Sequence, residues 1–216
     1  MSLIPTRWDL KPRGYRLTEN DQIAQVRAAL EQRGSRSSDF DLNPDTVLPA
    51  DRPLRAAGVL VALQDAPSGA ELILTKRSSA LRHHPGQIAF PGGKVDASDA
   101  DPVAAALREA GEEIGLPPNT AEVLGVLGDH ETVTGFLVTP VVAQIREPFD
   151  PVPEPGEVDE VFRVPLSHVL NPDNYLIQSR IWRGTRRFYH VVPFGPYYIW
   201  GATARILRGL ADRVAT

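Results

Sequence analysis

Gly86-Gln-Ile-Ala-Phe-Pro-Gly-Gly-Lys-Val-Asp96, a short acidic loop, and then Arg108-Glu-Ala-Gly-Glu-Glu-Ile-Gly-Leu116 make up the stretch around which the rest of the chain is organised. Its pattern predicts a strand end, a glycine turn and a helix carrying three glutamates. Asp101 suits the N-cap and Pro102 the first helical position, while Gly115 followed by Pro117 stops the helix. Val103, Leu107, Ala110 and Ile114 recur at helical spacing, so one stripe of the helix faces a core.

The position of the acids on that helix bears on their use. At about 100° per residue, Glu109 and Glu113 fall about 40° apart beside one edge of the apolar stripe. Glu112 lies nearly opposite the stripe yet neighbours Glu109. Solvent alone selects such glutamates on many helices, and Arg108 with Glu112 would make an ordinary i, i+4 surface pair. Like charges at these spacings cost roughly 0.2–0.5 kcal/mol per pair, which a cation between them would remove. Carboxylates are the hard ligands of Mg²⁺ and Mn²⁺, one or two per ion, with water and substrate phosphates completing the shell. Upstream, Gly92 and Gly93 permit positive φ and the close backbone approach that a phosphate cradle or a helix held against a strand requires.

Gly93, an acidic residue, and Arg108-Glu109-x-x-Glu112-Glu113-x-Gly115-Leu116 resemble the Nudix box, the signature of hydrolases that split a diphosphate linked to another moiety. The usual first glutamate of the box would fall at Ala100. The acid stands at Asp99 instead, leaving one extra residue before Arg108, a spacing that resembles the coenzyme A pyrophosphatase branch. Ile73-Leu-Thr-Lys-Arg-Ser78, then Arg82, Gly86 and Phe90-Pro-Gly-Gly93, resembles the second signature of that branch, with Ile73 in place of its first leucine.

The resemblance implies an α/β fold, the Nudix α/β/α sandwich around a mixed β-sheet, with the box helix on one face and the carboxy-terminal helix on the other. It implies Glu109, Glu112 and Arg108 as catalytic residues, Arg108 by orienting the glutamates. Glu109, Glu112 and Glu113 become the ligands of Mg²⁺ or Mn²⁺, and Arg77, Arg82, Gly92 and Gly93 contact substrate. The implied reaction is hydrolysis of CoA or acyl-CoA to 3′,5′-ADP and (acyl-)4′-phosphopantetheine. Two alternatives stand beside it: a Nudix hydrolase of another nucleoside diphosphate derivative (NADH, ADP-ribose, a nucleotide-sugar), or a non-catalytic ligand-binding module on the same fold.

Composition bounds these readings. The 216 residues are enough for one domain with a sizeable core, and 42% hydrophobic with 23% charged residues is globular composition. The longest apolar run, Ala56 to Leu63, is too short to span a bilayer, so no membrane partner is expected. A net charge of −4 argues against nucleic-acid binding by a broad basic surface. The amino terminus lacks the hydrophobic core of a secretory signal, and the chain has no cysteine, excluding disulfides and thiolate zinc sites. A cytoplasmic protein acting on a small molecule is the expectation, with a homodimer left open.

In chain order, residues 1–19 read as irregular and Asp21 to Arg33 as a helix. Ser35 to Pro53 reads as a mobile surface linker. This divides the chain into an N-terminal extension, 1–53, with one helix packed on the main domain, and a Nudix hydrolase domain, 54–216. Strands are expected at Leu54–Leu63, Glu71–Thr75, Glu122–Gly128, Leu137–Ile145 and from Glu157, with a short helix near Ser167 to Leu170. A late hairpin spans Tyr175–Trp182 and Arg186–Val192, and a final amphipathic helix spans Trp200–Val214. Glu131 is a candidate base or extra ligand, Glu157 and Glu160 are candidate acids from a strand edge, and His83 and His84 are weaker candidates. Ile199-Trp-Gly-Ala-Thr-Ala204 resembles the closing segment of the CoA branch, although packing alone would explain its small residues.

Overall fold

The computed structural model describes residues 21–31, 34–46, 49, 51–182 and 184–216. The expectation for residues 1–19 lies outside them, as do Arg33 of the first helix and Arg183 of the late turn. The elements are α1 (Asp21–Leu30), β1 (Ser37–Ser38), β2 (Arg55–Gln64), β3 (Glu71–Arg77), β4 (Ile88–Ala89), β5 (Gly92–Lys94), α2 (Pro102–Ile114), β6 (Ala121–Val126), β7 (His130–Glu131), β8 (Phe136–Ile145), β9 (Val158–Pro165), α3 (Leu166–Val169), β10 (Leu176–Trp182), β11 (Thr185–Val191) and α4 (Ala202–Val214).

Nine strands form one mixed sheet. β2 runs parallel to β8 along ten residues, Arg55 opposite Phe136 through Gln64 opposite Ile145, and antiparallel to β3. β9 and β4 pair with β3, β5 with β2, and β6 and β7 with β8. β10 and β11 form a separate antiparallel ribbon.

Alternation along the strands divides the core in two, because successive side chains point to opposite faces. Val61 and Leu63 of β2, Leu72 and Leu74 of β3 and Val142 of β8 meet Ile23 and Val26 of α1 and Ala204, Leu207 and Leu210 of α4. Leu60, Ala62, Ile73, Val141, Ala143 and Ile145 meet Ala106, Ala110 and Ile114 of α2. The α/β/α sandwich is therefore as expected, with α2 on one face and α4, joined by α1, on the other.

The reading of Ser35 to Pro53 as a mobile connection needs correction. β1 pairs parallel with β7. His130, fully buried, is held between Ser37 Oγ at 2.9 Å and Asp39 Oδ1 at 3.2 Å, and the second oxygen of Asp39 accepts the Val133 N–H at 2.8 Å. A polar stretch can anchor itself through hydrogen bonds that hydrophobic periodicity does not reveal.

Candidate active site

The site grows from the way α2 is fixed to the sheet. Asp101 caps the helix by accepting the Ala104 N–H at 2.8 Å, and Pro102 takes the first turn. At the other end Gly115 adopts φ 67°, and the N–H groups of Gly115 and Leu116 return to the carbonyls of Gly111 and Ala110. Beneath the first turn lies Gly58 of β2, where a Cβ would overlap the Pro102 carbonyl. No side chain fits there, so the helix backbone rests directly on the strand.

The proline-rich segment 148–155 fixes the far end. The Val152 N–H donates to the Ile114 carbonyl at 3.0 Å and the Glu154 N–H to the Glu113 carbonyl at 2.9 Å. These bonds satisfy two carbonyls that a helix end leaves open.

The two glycines of the turn have different tasks. Gly92 has φ 149°, and a Cβ on it would overlap the backbone of Gly58 and Val59. Gly93 has no positive φ; what its missing side chain admits is the carboxylate of Glu109, which occupies the space a Cβ would take.

The structure gives the three glutamates three environments. Glu113 is 5% exposed and accepts the Gly92 N–H on Oε2 at 3.0 Å. Burial pushes its carboxyl up to about 7; the Gly92 N–H opposes this, the charge of Glu109 adds to it, Arg77 opposes it and Glu157 adds to it. Glu109 is half-buried, and its carboxyl is also raised, first by burial and then, against the pull of Arg108, by Glu112 and Glu157. Glu112 stays at the rim with its side chain 59% exposed, paired with Arg108 at 2.9 Å.

Arg108 is the organiser. It holds Asp99 through two hydrogen bonds of 3.0 and 2.9 Å, reaches Glu109 at 3.2 Å, and donates to the Lys94 carbonyl at 3.2 Å. Its guanidinium is held even more firmly protonated by these acids. Asp99, drawn below the usual carboxylate range by Arg108, also accepts the Asp96 N–H at 2.8 Å and so closes the loop before α2.

Among the described residues, no three acidic or histidine side chains already enclose a metal-sized point. The donor set still suits a hard divalent ion. Glu109 and Glu113 are adjacent, desolvated and mutually repelling, and Mg²⁺ takes few carboxylates while keeping sites for water and phosphate. Glu112 would join such an ion only by leaving Arg108.

Arg77 ends β3 at a register shift and acts electrostatically on Glu113. Its N–H donates to the Gln87 carbonyl and its carbonyl accepts from Gly86, so the loop carrying exposed Arg82 is closed onto the strand that bears Arg77. The acids outside the helix separate. Glu157 acts on both Glu109 and Glu113, and the Ser78 N–H fixes its carbonyl at 2.8 Å. Glu160 instead accepts the Tyr197 hydroxyl, and Glu131 is paired with Arg52. Gly58 and the capture of α2 by residues 152 and 154 were outside the sequence reading. A glycine inside an apolar strand run was the one available signal for the former.

Known proteins resemble this chain in sequence. The family model described as NUDIX domain matches residues 53–183. The chain is 45% identical over 162 residues to a protein of Enterobacter sp. (strain 638) named uncharacterized Nudix hydrolase NudL, covering 74% of this chain and 83% of that one. The protein of the same name from Citrobacter koseri is 46% identical over 143 residues, covering 66% and 74%. A solved Nudix hydrolase from M. smegmatis, RenU, superimposes with a TM-score of 0.41 at 29% identity, covering 53% of this chain and 73% of that chain.

Proposed function

The chain belongs to the NUDIX domain family and is a Nudix hydrolase, and from that premise we propose that it splits the diphosphate of coenzyme A or acyl-CoA into 3′,5′-ADP and (acyl-)4′-phosphopantetheine. The observation that carries this reading is the continuity of one wall. Arg77 and the loop bearing Arg82 are closed on each other by backbone hydrogen bonds at Gly86 and Gln87, and the chain then runs through residues 88–91 to Gly92, whose N–H Glu113 accepts. The signature that resembles CoA enzymes is thus one surface beside the acids.

In this reading Glu109 and Glu113 hold Mg²⁺ or Mn²⁺, with Glu112 as a further ligand, and Arg108 keeps Glu109 in place through its own grip on Asp99. A divalent ion, when bound, neutralises diphosphate oxygens and lowers the pKa of its water. Arg77 and Arg82 present planar donors to phosphate, while Gly92 and Gly93, expected to contact substrate, instead seat the turn against β2 and admit the Glu109 carboxylate. Residues 1–53 form an extension to the domain spanning 54–216, and the enzyme works in the cytoplasm.

The test is turnover of CoA, NADH and ADP-ribose with Mg²⁺ and with Mn²⁺, with products identified by mass spectrometry in labelled water. CoA should be preferred. Clear preference for NADH removes the CoA assignment, and binding of CoA without phosphopantetheine would favour a non-catalytic module. Arg77→Ala should act mainly on KM.

A further inference from the structure

The β10–β11 ribbon stands apart from the main sheet, and one of its faces carries an assembly that the packing of the core does not require. Gln178 lies opposite Tyr189 and Arg180 opposite Arg187 in the register, so these side chains share that face. The Arg180 guanidinium lies over the Trp200 ring, 4.5 Å from its centre, and Tyr189 meets the same ring edge-on at 5.3 Å. The Tyr198 hydroxyl donates to Gln178 Oε1 at 2.6 Å. Arg180, Gln178 and Tyr198 are all exposed. Among the described residues, no carboxylate pairs with Arg180.

The place of this face is fixed by two bonds on either side of Trp200. Upstream, the Tyr197 hydroxyl donates to Glu160, which stands opposite Lys76 in the β9–β3 register. Downstream, the buried Thr203 hydroxyl donates to the Ile88 carbonyl at 3.1 Å, one residue beyond Gln87, whose carbonyl holds the Arg77 N–H. The segment 197–203 therefore crosses the sheet end from which Arg77 and its loop emerge. His84, in that loop, lies within reach of the charges of both Arg77 and Arg180.

We propose that Arg180, backed by Trp200, receives the 3′-phosphate on the nucleotide end of the substrate. The proposal rests on the CoA reading above and extends it: with the diphosphate at Glu109 and Glu113, the 3′-phosphoadenosine end follows the cationic wall through Arg77 to the ribbon. A phosphomonoester carries close to two negative charges at neutral pH and three acceptor oxygens. A guanidinium held over an indole ring loses little side-chain freedom on binding, and its planar fork presents N–H donors to those oxygens.

The experiment compares kcat/KM for CoA with that for 3′-dephospho-CoA in the wild type and in Arg180→Ala and Arg180→Lys. Matched thermal midpoints check that the variants fold. The wild type should prefer CoA, and Arg180→Ala should reduce the ratio about tenfold, the scale of a charge-assisted hydrogen bond. Arg180→Lys, which keeps the charge and loses the planar fork, should fall between them. A ratio unchanged in Arg180→Ala, in an enzyme that still turns over CoA, overturns the role of Arg180 and leaves the CoA reading standing. A wild type that does not hydrolyse CoA overturns both.

Discussion

The two faces of the sheet are built from the same strands and put to opposite uses. On the α4 side, Leu63, Leu72, Leu74, Leu207 and Leu210 close into an apolar core. On the α2 side the helix brings alanines to the sheet, its first turn rests on a glycine, and a carboxylic acid is buried at its edge. Close packing of large side chains gives stability; close approach of backbone gives the second face a place to hold charge. Burying Glu113 is unfavourable by itself, and the chain accepts it where it can serve chemistry.

The sharpest way to break this comparison is Glu113→Gln. Activity should fall about a thousandfold, as when a preorganised electrostatic group is lost, with the fold intact. The same change tests the burial argument. With the folded carboxyl at about 7 and the ordinary value at 4.5, the metal-free protein binds a proton more tightly when folded. Its stability is therefore full below about pH 4.5 and declines by about 3 kcal/mol as pH rises through 7. Urea unfolding without metal at pH 5 and pH 8 should show that decline in the wild type and lose it in Glu113→Gln. Added Mg²⁺ or Mn²⁺ should reverse it.

Two glycines sharpen the contrast within the α2 face. Gly93→Ala drives a methyl into the Glu109 carboxylate, a movable group, so activity should drop about a hundredfold while unfolding changes little. Gly58→Ala drives a methyl into the Pro102 carbonyl, which is fixed, and should destabilise by about 3 kcal/mol in the same denaturation. On the opposite face Leu207→Ala, at a side chain only 1% exposed, should also cost about 3 kcal/mol but leave kcat near wild type at temperatures where the variant stays folded. The smallest effect belongs to Asp212→Ala, which removes an exposed i, i+4 pair with Arg208 on α4; thermal unfolding should shift by no more than about 0.5 kcal/mol.

What was legible in the sequence follows from the range of the forces involved. The caps of α2 are local, so Asp101, Pro102 and Gly115 could be read directly. Strand limits came within a residue or two for β2, β8 and β10, because alternation and turn residues lie in the sequence itself. Angular placement put Glu109 and Glu113 together, but not their unequal burial: that depends on Gly92 and on how far α2 sinks towards β2, a contact between residues 58 and 102. The β1–β7 pairing and the bond from Thr203 to Ile88 are likewise distant in sequence and carried by polar groups.

The proline-rich segment before β9 has a consequence of its own. It is held at Glu154 by a carbonyl of α2 and at Glu157 by the Ser78 N–H, with only two residues between these ties. Its length is therefore a calibrated spacing between the helix of acids and the loop of bases. Removing one residue between 154 and 157 would force either tie to break, so a stretch that looks expendable is among the places least able to accept a deletion.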